Sequence, residues 1–125
     1  MPERTRPSIT IPDQDPPTEL EIVDEIEGDG ALATAGLHAI VHYVGVAWST
    51  GREFDASWNR GDTLGFDLGA GQVIAGWDQG VQGMKVGGRR RLTIPPHLGY
   101  GSRGAGGVIA PNETLVFVVD LVDLR

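Results

Sequence analysis

Gln72-Val73-Ile74-Ala75-Gly76-Trp77-Asp78-Gln79-Gly80-Val81-Gln82-Gly83 is the best candidate for a helix in a glycine-crowded chain. Val73, Ile74, Trp77 and Val81 recur at spacings of three and four, which places them on one face of a helix over residues 72–83. Gly76 stands between Ile74 and Trp77, although glycine costs about 1 kcal/mol relative to alanine in a helix. Keeping it there implies that something comes close to the helix backbone. The indole of Trp77 then lies mid-face, as ordinary core or as the floor of a pocket.

Strands surround this stretch. Downstream, residues 85–88 read as a turn and Arg89–Ile94 as a strand, stopped by Pro95-Pro96. Residues 98–112 form a long glycine-rich loop carrying Tyr100, Val108 and Ile109. Residues 114–124 are apolar on both faces and predict a central strand. Upstream, residues 64–68 are a short strand and residues 58–62 a loop. Ser49-Thr50-Gly51 is a turn leading into Arg52-Glu53-Phe54-Asp55. Residues 38–46 are a strand with Leu37, Ala39, Val41 and Tyr43 on one face. Leu20, Ile22 and Asp24 alternate with Glu21, Val23 and Glu25 in a first strand, ended by Glu27-Gly28-Asp29-Gly30. The layout is α+β: a twisted antiparallel sheet of about five strands, a half-barrel wrapped around one short α-helix.

Composition narrows the function. The chain has 125 residues and 40% apolar content, enough for one core. It has no cysteine, so disulfides, thiolate metal sites and cysteine nucleophiles are excluded. Neither a signal-peptide pattern nor a membrane-spanning run is present, and a cytoplasmic protein is expected. The net charge of −7 sits in residues 1–30, where nine acids face Arg4 and Arg6; the remainder balances. Neither nucleic acid nor a membrane is expected as a partner. Five of the eight prolines lie between Pro2 and Pro17, so residues 1–18 read as an extended, loosely held acidic tail and residues 19–125 as the domain.

Several signals lose their context. Gly99-Tyr-Gly-Ser-Arg-Gly104 matches a dinucleotide-binding fingerprint, but it follows Pro-Pro-His-Leu and no helix pattern comes after it. His38 and His42 have no third ligand at recognisable spacing and read as solvent-facing strand residues, so no metal is expected. In Arg89-Arg90-Arg91, alternate side chains point opposite ways, giving a solvated strand start. No serine stands in a nucleophile elbow.

Six collinear motifs then carry a resemblance. They are His42-Tyr43-Val44-Gly45, Phe54-Asp55-Ala56-Ser57, Val73-Ile74-x-Gly76-Trp77-x-x-Gly80, Met84-x-Val86-Gly87, Tyr100-Gly101 and Thr114-Leu115-Val116-Phe117-x-Val119-x-Leu121. In this order and spacing the chain resembles the FKBP-type peptidyl-prolyl cis-trans isomerases, the immunophilins that bind rapamycin and its relatives. The resemblance runs from about Leu20 to Leu124. It implies an apolar pocket with Trp77 as floor, Tyr43, Phe54 and Phe117 as walls, and Val73 and Ile74 as rim. Tyr100 would stand at the mouth, Val108 and Ile109 would come from the flap loop, and Arg60 would hold Asp55 at the edge. It also implies that the Ile74 N–H and the Tyr100 hydroxyl hold substrate carbonyls, while Asp55 faces the twisting amide. The chain departs from the pattern at Leu64, where an aromatic is usual, at Ala105, where the flap often carries histidine, and at Gln72, where many members have glutamate.

An isomerase of this type needs no cofactor. Peptide rotation has a barrier of ~18–20 kcal/mol because it breaks amide resonance. No covalent bond is made, and the twisted transition state is less dipolar than the planar amide. An apolar, water-poor site therefore favours the twisted form. The implied partners are proline-containing unfolded or nascent polypeptides, with macrolides such as rapamycin as inhibitors of a monomeric enzyme. The alternative is a catalytically weak module that uses the same pocket to hold a proline peptide or macrolide. For Tyr43, Phe54 and Phe117, core packing and pocket wall remain compatible roles.

Overall fold

In the computed structural model, residues 5–125 are described; Met1 to Arg4, the first part of the expected tail, lie outside the described residues. The sheet is built on β6 (Leu115–Leu124), whose first seven residues are all buried. Leu115, Phe117, Val119 and Leu121 face the main core, while Val116 and Val118 point the other way and are buried too. A strand apolar on both faces needs neighbours on both edges and cover on both sides, and β6 has them. It pairs antiparallel with β5 (Arg89–Ile94) on one edge and β2 (His38–Ala47) on the other.

The order is β1-β5-β6-β2-β3, with β1 (Glu21–Ile26) at one edge and β3 (Glu53–Ala56) at the other. A sixth strand, β4 (Leu64–Asp67), pairs with the first half of β2, where β3 pairs with the second half. The sheet therefore has six strands, one more than expected, all antiparallel and not closed into a barrel. The additional strand is β3, only four residues long, whose period is too short to read from sequence alone.

The central helix, α2 (Ala75–Gly80), is half the expected length. Ile74 is its N-cap, with φ −58° and ψ 150°, so Val73 and Ile74 belong to the extended segment leading in. Asp78 explains the late start: its carboxylate accepts the N–H groups of Gly69 and Gly71, holding the preceding turn folded back against the helix. Gly71 has φ 74°, outside helical space. The glycines of α2 face the sheet. A Cβ on Gly76 would lie 2.6 Å from Ile94 Cγ2, and one on Gly80 2.7 Å from Leu92 Cδ2. The close backbone approach implied by Gly76 is thus that of β5.

Further expectations change. Residues 57–60 form a single helical turn, α1 (Ser57–Arg60), where a loop was expected. Gly61 ends it at φ 70°, and the buried Ser57 hydroxyl anchors it by accepting the Tyr43 N–H at 2.7 Å. His42 is half-buried rather than solvent-facing: it stacks on Trp58 at 4.4 Å between ring centroids and lies 2.9 Å from Ser57 Oγ. His38 does face solvent, its side chain 41% exposed, and bonds Asp67 at 2.7 Å.

The arginine run is not a solvated strand start. Arg89 pairs with Asp120 at 2.8 Å, and Arg90 with Asp24 at 2.7 Å. Arg90 also donates to the carbonyls of Gly80 and Gln82, satisfying acceptors left over at the end of α2. Nor are residues 5–11 loosely held. Pro7 is buried, and Ile9 and Ile11 pack on Val44, Val46 and Ala56 on the sheet face opposite the main core. Arg89 and Arg91 donate to the carbonyls of Thr5 and Thr10, and Arg6 pairs with Glu53. These residues form a strap across the back of the sheet. Among the described residues, no helix is long and apolar enough to cross a membrane.

Candidate functional site

Between α2 and the concave side of the sheet lies a cleft of about 180 Å³. Its floor is Trp77, only 3% exposed and carried by α2. Three rings box the indole: Tyr43 from β2 at 4.9 Å and near-perpendicular, Phe117 from β6 at 5.2 Å and 86°, and Phe66 from β4 at 5.7 Å. Phe54 from β3 stands at 90° to Phe117, 5.4 Å away. Edge-to-face contacts set positive ring edges against negative faces, which fixes these rings beyond what burial alone would do. The indole Nε1 is buried and has no hydrogen-bond partner among the described residues.

Two segments complete the rim. Val73 and Ile74 enter from the extended lead-in to α2, and Tyr100, 41% exposed, from the loop after β5. Leu64 and Asp55 also line the cleft. Of the twelve residues singled out from sequence, ten are therefore at this site or bonded to it. Arg60 does not line the cleft; it grips the two residues that form its polar corner.

That corner is a closed triangle. The Tyr43 hydroxyl donates to Asp55 Oδ2 at 2.5 Å, Arg60 Nη1 donates to Asp55 Oδ1 at 2.8 Å, and Arg60 Nη2 donates to the Tyr43 hydroxyl at 3.0 Å. Burial alone would raise the Asp55 pKa, but the donors Tyr43 and Arg60 outweigh it and hold the carboxyl below its usual range. Burial, together with the bond to Asp55, pushes the Tyr43 phenol up. The bonds to Tyr43 and Asp55 raise Arg60 further above its already high value. The corner thus presents an ionised carboxylate with both oxygens engaged, and a phenol that keeps its proton.

The flap residues are elsewhere. Val108 is 61% exposed and Ile109 is 6% exposed within the main core; neither lines the cleft. The reason is local. Ala105 and Ile109 exchange backbone hydrogen bonds around Gly106 and Gly107, both at positive φ, and this tight hairpin turns Ile109 inward.

Three contributors escaped the sequence reading, the first being Phe66, which packs against the indole and stands in none of the six motifs. Gln72, noted only for replacing a glutamate, lines the cleft and is fixed by two bonds to Asp67. Gly45 sits behind the wall: a Cβ there would lie 2.6 Å from Phe117 and 2.7 Å from Phe54. Its place inside an otherwise apolar strand was the available signal. A separate hollow of about 130 Å³ near Asp24 and Arg90 is lined by charged and glycine residues with Ile26 and Met84, and has no aromatic floor.

Comparison with known proteins gives the arrangement its context. The profile of the FKBP-type peptidyl-prolyl cis-trans isomerases matches residues 30–122. An FK506-binding protein of Streptomyces anulatus is 68% identical over 118 residues, covering 94% of this chain and 95% of that protein. A probable FK506-binding protein of Corynebacterium glutamicum is 50% identical over 117 residues, covering 94% and 97%. Among solved structures, AtFKBP13 superimposes with a TM-score of 0.78 at 41% identity, over 85% of this chain and 93% of that one. Fold and sequence agree: the chain belongs to the FKBP-type peptidyl-prolyl cis-trans isomerases and is an enzyme of that class.

Proposed function

We propose that the Trp77 cleft binds the proline of an X–Pro segment in unfolded or newly made polypeptides and speeds rotation about that bond, assisting their folding. The observation that carries this reading is the contrast within the cleft: an aromatic box around a buried indole, with a polar corner whose charges are already paired. Such a site suits a reaction in which no bond is made or broken. Water is displaced by ring faces, so the strongly dipolar planar amide loses more solvation than the twisted form. Lowering the barrier by ~7 kcal/mol would give about five powers of ten in rate.

Within this reading the Ile74 N–H and the Tyr100 hydroxyl bind substrate carbonyls, Trp77 supports the proline ring, and Asp55 faces the twisting amide. Tyr43, Phe54, Leu64, Val73 and Phe117 provide the apolar walls. The relatives named for binding FK506 support a further proposal, that macrolides such as rapamycin occupy the same cleft. The enzyme is proposed to act as a monomer in the cytoplasm, which gel filtration and cell fractionation test.

A protease-coupled assay on a Leu–Pro tetrapeptide, with rapamycin as competitor, tests the reading. We expect catalysis that rapamycin abolishes and that Asp55→Val slows severalfold while circular dichroism stays native-like. Rapamycin binding without isomerisation would instead identify a peptide- or macrolide-binding module. Unchanged activity in Asp55→Val would remove Asp55 from the mechanism.

A further inference from the structure

Gln72 opens the rim segment Gln72-Val73-Ile74, which belongs to neither β4 nor α2 and yet lines the cleft with all three residues. Lying between strand and helix, it has no ladder of backbone bonds to set its direction. Asp78 fastens the turn before it through Gly69 and Gly71. The segment itself is fastened at Gln72, and the chemistry of that fastening is specific. The Asp67 backbone N–H donates to Gln72 Oε1 at 2.8 Å, and Gln72 Nε2 donates to Asp67 Oδ2 at 3.1 Å. A backbone N–H needs an acceptor and a carboxylate needs a donor, so the amide fits only one way round. Glutamate has the same length but two acceptors, and would set carboxylate against carboxylate.

The other oxygen of Asp67 is engaged from the neighbouring strand. Its Oδ1 lies 2.7 Å from Nδ1 of His38, which stands directly opposite Asp67 in the β2–β4 register. The His38 backbone is fixed in turn by bonds exchanged with Arg125 at 2.9 and 2.8 Å. Its ring takes the space left by Gly65, where a Cβ would lie 2.7 Å from His38 Nε2. Gly65 and Asp67 share the face of β4 opposite to Leu64 and Phe66. The carboxylate is thus held from behind by β2 while it holds Gln72 in front.

We propose that His38, Asp67 and Gln72 form a clamp that sets the rim of the cleft, with Asp67 as its positioning residue. Asp67 does not line the cleft; it fixes Gln72, and through Gln72 the direction in which Val73 and Ile74 face the substrate. The inference rests on the reading of the Trp77 cleft as the isomerase site and adds to it residues that touch no substrate. It also gives glutamine at position 72 a physical reason: the side chain must offer a donor and an acceptor together.

The test is a double-mutant cycle in the full chain. A rim that contacts substrate alike in the ground and transition states shows its misalignment in KM and not in kcat. Gln72→Glu is expected to raise KM for a Leu–Pro peptide about two- to fivefold, the range of exposed charge contacts, with kcat within about 1.5-fold. Rapamycin should weaken by a similar factor. Adding Asp67→Asn to that variant should bring both back to within about 1.5-fold of wild type, because the new amide donates to the glutamate while its oxygen accepts from His38. A double variant as impaired as Gln72→Glu overturns the clamp. So does a lowered melting temperature with KM and rapamycin affinity unmoved, the result a merely structural bond would give. Wild-type protein inactive on the peptide refutes the isomerase reading instead. The clamp is then decided by amide hydrogen exchange at residue 67, which should quicken about fivefold in Gln72→Ala, the worth of one hydrogen bond. Unaltered exchange there overturns it.

Discussion

Gly76→Ala sets two effects of known sign against each other. Alanine gains up to about 1 kcal/mol over glycine in a helix interior. The new methyl, however, would stand 2.6, 2.7 and 2.8 Å from Cγ2, Cδ1 and Cγ1 of Ile94, where ordinary contact begins at 3.4 Å. Ile94 is fully buried, and the clashing atoms lie on both branches of its β-branched side chain. Rotation about χ1 therefore exchanges one clash for another, and α2 must lift from β5 instead. Overpacking of this kind costs about 1–3 kcal/mol, and three approaches under 3.0 Å put it in the upper part of that range, so the net loss after the helix gain is about 1–2 kcal/mol. For a chain of this length that lowers the melting temperature by roughly 3–8 °C. Because Trp77 rides on the same helix, macrolide affinity should fall as well. Thermal melts and calorimetric titration on the single variant check both. A melting temperature equal to or above that of the wild type would show that Ile94 is not the reason for a glycine at this place.

Other perturbations have equally definite directions. Leu64→Phe should tighten rapamycin about 3–10-fold, since an added aromatic contact brings roughly 0.5–1.5 kcal/mol, with kcat little changed; calorimetry showing no gain together with a lower melting temperature would mean the ring overpacks. Deleting residues 1–11 uncovers Val44, Val46 and Ala56 and loses the half-buried Ile9 and Ile11. At about 1 kcal/mol or more for each isoleucine, the melting temperature should drop by roughly 5–10 °C, and an unchanged melt would contradict the docked strap. Asp55 and Asp67 are both held below the usual carboxylate range: Asp55 because donors outweigh burial, Asp67 chiefly by its bond from His38. A depressed folded-state pKa contributes stability that is present above the unfolded value of about 4 and lost as pH falls through the folded one. The acid limb of stability below about pH 4 should therefore shrink in Asp55→Asn and in Asp67→Asn, and identical urea titrations of all three proteins would refute the linkage.

The features legible in the sequence are those set by short-range pattern. An unbroken run apolar on both faces made β6 a central strand, and a glycine beside a tryptophan announced a close approach to the backbone of α2, which the structure assigns to β5. The aromatic residues of the cleft were legible through collinear motifs, although their edge-to-face geometry was not. Distant contact decided the rest. α1 exists because Ser57 bonds the backbone of β2 and Trp58 stacks on His42, neither of which four residues can encode by propensity. Ile109 left the flap for the core because a hairpin of glycines turned it there. The strap is mostly polar, and its few apolar side chains gain enough only once the sheet offers them a matching apolar back face. Sequence can show which residues are able to bury themselves or pair; which surface or charge they meet is settled when the chain closes on itself.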